Sequence, residues 1–326
     1  MQFQLLCKFC QKSNQMPAQQ NASRGFIIAL TATVIWSTTG PFISYLVTTY
    51  SLPSLILAFW RDLFVAFGMF VGLLVFSRGL FCLDRKHWLF MALYGLTLAV
   101  FNSMWTFSVQ YNGAAVATVL AFSSPAMTAL LSRVIFRERF NRAKVISIAL
   151  SFLGTLLVSG AADPAAWRLN PLGIVFGLLT GLLFAVYNLE GKAAADRHID
   201  SWTALLYSFA SATFFLFFFN IASDLFITRQ PALSNLLWLG DSLPGWGLLF
   251  FLGVAPTLGG FGLYTLSIRY LSPTVSNLVA TLEPVFTAVW AYLFLGEIMT
   301  GIQLGGSLLL LIGVLLLRAA DRAISE

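Results

Sequence analysis

Three ionisable residues fall inside otherwise apolar stretches of the chain: Glu283 and the adjacent pair Arg61 and Asp62. A charge at the centre of a membrane helix costs ~2.5–3.5 kcal/mol on insertion scales, so each must have a partner or a task. Glu283 directly precedes Pro284. Proline lacks a backbone donor and frees the carbonyl four residues back, that of Ala280, so a carboxylate and a bare carbonyl lie close together. That pair suits a substrate ammonium group or a proton; the alternative is an ion pair holding one helix to another. Arg61 has the same two readings, as ligand of a substrate carboxylate or as partner of Glu283. Asp62, one residue on, is expected roughly 100° round the helix, facing a different partner or water.

Uncharged polar and aromatic residues deep in the apolar stretches supply a candidate lining: Trp36, Thr39, Asn102, Trp105, Ser124, Tyr187, Asn188, Tyr207, Tyr264 and Asn277. Small-molecule sites combine an apolar wall with a few placed polar groups. Hydrogen bonding between helices accounts equally well for any one of them. Glu190 and Lys192 read as helix-end residues that reach the headgroups, and Glu138 and Glu297 as residues of equivalent short turns. Glycines at 173, 177 and 181, at 301 and 305, and at 68 and 72 read as close-packing faces.

The elements that position these residues follow from composition. Of 326 residues, 58% are hydrophobic and 10% charged, against roughly 25% charged in a soluble domain. No Asp, Glu, Lys or Arg occurs between Trp88 and Ser132, a run that as one helix would measure roughly 68 Å. A hydrocarbon core of ~30 Å cannot hold it, so the polar Gln110-Tyr111-Asn112-Gly113 should divide it. The same reasoning gives ten spans: 25–47, 54–76, 88–109, 113–135, 143–160, 171–191, 201–221, 245–267, 273–295 and 299–317. An even number puts both termini on one side. That side's segments hold sixteen of the 19 Lys and Arg residues, and the opposite side only Arg168 and Arg229. Both termini are therefore expected in the cytoplasm. The formal net charge of +6 reads as topology and lipid contact, and no nucleic-acid partner is expected.

Residues 1–24 lack the apolar core of a cleavable signal, so insertion is expected to rely on the first span, and Met16 is a candidate start. Cys7 and Cys10 form a CxxC without a second pair or a nearby His, so no metal site is expected. No cofactor is expected either. There is no GxxxxGK[ST] loop for nucleotide, and no HExxH or GxSxG; the only histidines are His87 and His198.

The chain repeats itself. Residues 121–157 align without a gap on 280–316 at an offset of 159, matching Pro125 with Pro284, Thr128 with Thr287, Glu138 with Glu297 and Gly154 with Gly313. Each half then has five spans, and an odd number inverts the second copy in the membrane. The expected fold class is an all-α polytopic membrane protein of ten transmembrane helices in two inverted five-helix repeats. Its expected parts are a tail (1–24), a first repeat (25–160), a connecting loop (161–170), a second repeat (171–318) and a tail (319–326).

Pro125-Ala126-Met127-Thr128-Ala129 ending in Arg137-Glu138, Leu282-Glu283-Pro284-Val285-Phe286 followed by Leu295-Gly296-Glu297, Ile35-Trp36-Ser37 and Arg61 together resemble the signatures of EamA-type members of the drug/metabolite transporter superfamily. The resemblance implies ten helices, two halves and export or exchange of metabolites; it implies no particular substrate. The first copy departs from the second in having Ser124 where Glu283 stands. The functional expectation is a secondary active transporter of small organic metabolites, amino acids among the candidates. It would work by alternating access in a bacterial inner membrane, with a proton or counter-substrate as coupling species. An intramembrane enzyme on lipid-linked substrates and a passive channel are the alternatives.

Overall fold

A computed structural model describes residues 18–325 except 77, 82, 138–141, 159–170, 230, 232–234, 284, 287–288, 291–292 and 294–299. Cys7, Cys10, Cys82, Met16, Glu138, Glu297, Pro284 and the connecting loop 161–170 thus lie outside the described residues. Every regular element among those described is helical. They are α1 (Ala18–Trp36), α2 (Thr39–Tyr50), α3 (Ser54–Phe76), α4 (Trp88–Ala121), α5 (Ser124–Ile135), α6 (Arg142–Val158), α7 (Pro171–Asp196), α8 (Ser201–Ala222), α9 (Leu243–Leu252), α10 (Leu258–Ser267), α11 (Pro273–Ala280) and α12 (Gly301–Ser325). Five segments among the described residues are long and apolar enough to cross a bilayer: 54–75, 85–108, 171–196, 201–226 and 243–267. Large apolar side chains such as Val75, Leu89, Val134 and Leu243 face outward. In water so much exposed apolar surface would be a liability; in a bilayer it is the lipid face.

Helical hydrogen bonding runs unbroken through the 34 residues of α4, but α4 is not one rod. A Cβ placed on Gly177 would lie 2.8 Å from Ser108 Oγ and 2.6 Å from Leu120 Cδ1. Twelve residues of straight helix would separate Ser108 from Leu120 by about 18 Å. The chain must therefore turn back between them, in the stretch where the polar residues 110–113 lie. Its two arms run in opposite senses along α7: Tyr94 meets Tyr187, Phe101 meets Phe184 and Phe107 meets Phe176 on the first arm. On the second, Leu120 meets Gly177 and Ser123 meets Gly181.

Three of the spans expected to be continuous are interrupted. The breaks fall at Ser37-Thr38, at Phe122-Ser123 and at Thr281-Leu282. At each, hydroxyls bond back to the preceding turn and compete with the helix: Ser37 to Val34 O, Thr38 to Ile35 O, Ser123 to Leu120 O and Thr281 to Leu278 O, all within 2.6–2.7 Å. The second and third breaks are separated by the repeat offset of 159. Between α9 and α10 the helix widens into a π-turn, Gly253–Thr257, which contains Pro256. Proline cannot donate to the helix, and the Thr257 hydroxyl instead reaches Leu252 O at 2.7 Å.

Helices α6 and α12 pack closely. A Cβ on Gly154 would stand 2.7 Å from Gly306 O and 2.7 Å from Leu310 Cγ; one on Gly313 would stand 3.1 Å from Ser147 O and 3.2 Å from Ser151 Oγ. At the repeat offset Gly154 corresponds to Gly313, Ser147 to Gly306 and Ser151 to Leu310. Each contact therefore recurs with its partners exchanged, and the two helices run antiparallel. Of the glycines expected to pack closely, 177 and 181 do so and Gly68 comes close to Val254, at 3.3 Å from an added Cβ, whereas Gly72, Gly301 and Gly305 meet nothing within 4 Å. Their faces look outward, and helix-face spacing alone cannot separate a lipid-facing glycine from a packing one.

Paired charges and cation–ring contacts gather at one end. Arg24 lies over Tyr270, Arg197 over Phe90, Arg269 bonds Asp200 at 3.1 Å and Lys192 bonds Asp196 at 2.8 Å. Elsewhere, Trp238 donates to Tyr50 O, tying together two connections expected on the other side, and Trp60 of α3 donates to Leu236 O.

Candidate functional site

Arg61 and Asp62 lie on α3, where π-turn residue Gly253 permits close approach. A Cβ there would meet Phe64 Cβ at 2.8 Å and Arg61 O at 3.1 Å. Both side chains are buried, Asp62 completely. They face each other, with Arg61 Nε 3.3 Å from Asp62 Oδ1. Asn102 of α4 closes the triad: its Oδ1 accepts from Arg61 Nη2 at 2.8 Å and its Nδ2 donates to Asp62 Oδ2 at 2.8 Å. Helical spacing suggested divergent directions for neighbours 61 and 62, but the long arginine side chain curls back to its neighbour. A bare buried cation or anion is far costlier than a bent side chain. The expected Arg61–Glu283 pair is absent. Arg61 is engaged within its own half, and the charges of the triad balance.

Glu283 stands where helical residues resume after the Thr281-Leu282 break. It is half-buried and has no hydrogen bond or ion pair among the described residues. A helix start is a place where a carboxylate is tolerated without a cation, because the dipole there is positive. On either side of it, span nine is bound to the first half of the chain. Asn277 of α11 donates to Thr128 Oγ1 at 2.9 Å and lies 3.2 Å from Ser124 Oγ, while Trp290 Nε1 donates to Ser37 Oγ at 2.9 Å. Span nine is thus tied by side chains to Ser37 at the first break and to Ser124 beside the second. Ser124, the repeat counterpart of Glu283, sits at the same point of its own restarted helix.

An aromatic cluster adjoins. Trp36, at the end of α1, packs on Phe261 with centroids 4.3 Å apart, on Tyr264 at 5.6 Å and on Phe184 at 6.1 Å. Gly260 lets it approach, since a Cβ there would lie 3.1 Å from Trp36 Cβ. Tyr264 Oη donates to Asn188 Oδ1 at 2.5 Å. Phe101 stacks on Phe184 one residue before Asn102, so the cluster abuts the triad.

The sequence-derived set therefore divides. Trp36, Tyr187, Asn188 and Tyr264 share the aromatic cluster, Ser124 and Asn277 join the halves, and Arg61 and Asn102 belong to the triad. Thr39 caps its own helix break, donating to Trp36 O at 2.7 Å. Trp105 is half-buried and makes no ring contact among the described residues. Tyr207 stands apart: it donates to Phe81 O at 2.9 Å and, with Thr203 on Leu80 O, anchors the segment after α3. Glu190 is not the headgroup-reaching residue expected. Its carboxylate turns inward to α4 and accepts from Thr97 at 3.2 Å. Phe184, Phe261, Tyr94 and Thr265 escaped the sequence reading because nothing in an apolar run distinguishes an aromatic residue or a threonine in the core from one facing lipid. No group of three His, Cys, Asp or Glu placed to hold a metal ion occurs among the described residues.

Comparison with known proteins agrees with this architecture. The pseudopaline exporter CntI of Pseudomonas aeruginosa is 23% identical over 293 residues, covering 90% of this chain and 95% of the exporter. An uncharacterized transporter of Archaeoglobus fulgidus is 27% identical over 230 residues, 68% of this chain and 74% of its own. The uncharacterized transporter YwfM of Bacillus subtilis is 22% identical over 302 residues, 91% of this chain and 94% of its own. A crystal structure superposes with a TM-score of 0.75 at 16% identity, over 93% of this chain and 99% of that one, and shares the fold. The EamA-like transporter family matches twice, over residues 23–160 and 171–319. This polytopic helical membrane protein belongs to the EamA-like transporter family.

Proposed function

We propose that the chain is a secondary active transporter that exports or exchanges small organic metabolites, amino acids among them, by alternating access. The observation that carries this reading is the pair of helix breaks one repeat offset apart, with the carboxylate of Glu283, which has no partner among the described residues, at the second. Discontinuous spans at a repeat interface are where secondary transporters of repeat design place their ligands. A carboxylate with no cation of its own is free to meet a substrate ammonium group, and the Trp36–Phe261–Tyr264 cluster offers an apolar wall beside a few polar groups.

The reading includes ten spans in two inverted five-helix repeats. The exchanged contacts of α6 and α12 support it. Reciprocal contacts mark a two-fold relation, and a two-fold axis relating antiparallel membrane-spanning helices lies across them, in the membrane plane. Halves so related can exchange conformations at little cost, turning an inward-facing cavity outward. The gathering of basic residues at the end that carries Arg24, Arg197 and Arg269 supports cytoplasmic termini in a bacterial inner membrane. Relatives named as transporters, one of them an exporter, favour a carrier over an enzyme.

The experiment is uptake and counterflow in proteoliposomes containing the full chain, against a panel of amino acids, sugars and amphiphilic cations. A carrier accelerates entry of labelled solute when the same unlabelled solute is loaded inside. Flux that only runs to equilibrium, untouched by internal solute, would make the protein a channel.

A further inference from the structure

Between α4, α7 and α10 five buried side-chain atoms make no well-formed hydrogen bond among the described residues: Tyr94 Oη, Tyr187 Oη, Thr265 Oγ1, Asn188 Nδ2 and Glu190 Oε2, the Tyr94 and Thr265 hydroxyls meeting that of Tyr187 only loosely. They are close neighbours. The Tyr94 and Tyr187 rings are 4.7 Å apart, and Tyr94 and Thr265 both flank the Tyr187 hydroxyl. Gly191 leaves room for Tyr94 Oη, which would be 3.1 Å from a Cβ added there. Each orphaned buried polar atom costs on the order of 1–3 kcal/mol. Phenylalanine at 94 and 187 and leucine at 190 would fill similar space without that cost, so packing does not explain the choice of residues.

Glu190 gives the cluster its polarity. Oε1 accepts from Thr97, whereas Oε2 retains free lone pairs that can take a proton. No cation among the described residues pairs with it. On its own helix Lys192 is held by Asp196, and just past the helix end Arg197 lies over Phe90. The first arm of α4 contributes the phenol of Tyr94 and no charge, and α10 the phenol of Tyr264. From α3, Arg61 and Asp62 hold each other. From α8, Tyr207 is bonded to Phe81 O, and the capping Asp200 to Arg269. Arg133 is the only charged residue of α5, α11 carries none, and Asp84, Arg85, Lys86 and His87 precede α4. Glu190 lies six residues, about 9 Å of helix, from the end of α7 where the paired charges gather.

We propose that Glu190 is a proton-carrying carboxylate of the transport cycle, with the hydroxyls of Tyr94, Tyr187 and Thr265 as a relay leading from it toward Tyr264 and Asn188. The inference rests on the transport reading above and leaves Glu283 to the solute. The step is a proton transfer alone. The carboxylate takes a proton from water at the basic end of α7, becomes a neutral donor toward the phenols, and returns the proton when the cycle reverses.

The test is infrared difference spectroscopy of the full chain in vesicles, between acid and alkaline buffer. Wild type is expected to show a carboxylic-acid carbonyl band that titrates. Glu190→Gln should lose that band, Glu190→Asp should keep it displaced, and Glu283→Gln should leave it in place. Tyr187→Phe should keep the band and shift its titration midpoint, which a purely structural phenol would not do. In the same vesicles, pH-gradient-driven accumulation of a radiolabelled amino-acid mixture should fall to that of protein-free vesicles in Glu190→Gln and survive in Glu190→Asp. A Glu190→Gln protein that retains every titrating carboxyl band, or that accumulates label as wild type does, would overturn the proposal. The spectrum needs no solute. A wild-type protein that moves none of the panel would therefore count against the transport reading, while Glu190 is still judged by its band.

Discussion

Replacing Asp62 with leucine should be among the most destabilising single changes available in this chain. The substitution leaves the Arg61 guanidinium, only 9% exposed, with the Asn102 carbonyl as its sole remaining partner, and it also strands the Asn102 amide. Breaking a buried pair by removing one member costs about 3–5 kcal/mol, since the other charge stays behind. Arg61→Met combined with Asp62→Leu removes both charges and leaves only the Asn102 amide unsatisfied, worth about 1–3 kcal/mol. The double variant should therefore be more stable than the Asp62 single variant, with a coupling energy of about 2 kcal/mol or more. Adding Asn102→Leu should bring stability back close to wild type. Reversible unfolding in mixed micelles, followed by helical circular dichroism, measures these proteins together with Arg61→Met alone, which closes the cycle. A single variant that loses less than ~1 kcal/mol, or a double variant no more stable than the single, would refute the buried-triad account.

At the α6–α12 contact, Gly154→Ala should cost about 1–3 kcal/mol in the same unfolding assay, because its Cβ would press on backbone atoms of Gly306 and Leu310. Gly305→Ala, with nothing within 4 Å, should be neutral or stabilise the helix by ~0.5–1 kcal/mol. Asn277→Ala should cost about 1–3 kcal/mol by stranding the Ser124 and Thr128 hydroxyls, and alanines at 124 and 128 as well should recover part of it. Reporters fused after Arg322 or inserted near Arg85 and Arg139 should all be cytoplasmic and one near Arg168 external; an external C-terminus would contradict the ten-span arrangement.

Much of the architecture was legible because lipid imposes it. Residues 88–132 are too long and too apolar for one span, and the chain does reverse between Ser108 and Leu120. The internal repeat was legible from Pro125, Gly154 and their counterparts, and the family match falls on both halves. The helix breaks were not foreseen. Ser37, Ser123 and Thr281 are ordinary residues of membrane helices, and whether a hydroxyl interrupts its helix depends on what the neighbouring span offers. Arg61 was correctly singled out as needing a partner, but the partner could not be read from spacing. Asn102 lies 41 residues away in sequence and 2.8 Å away in space. Glu190 was misplaced for a related reason: distance from a helix end says how near water is, not which face of the helix looks inward.

The central claim is that a carrier site lies at the restarted helix of span nine, with Glu283 as its carboxylate. Counterflow by Glu283→Gln protein, reconstituted beside wild type with a solute that wild type exchanges, tests it most directly. The amide keeps the shape and loses the charge and the proton. Because Glu283 holds no ion pair among the described residues, the variant should insert and unfold like wild type while its counterflow falls to that of protein-free vesicles. Wild-type counterflow from a stable Glu283→Gln protein would contradict the account.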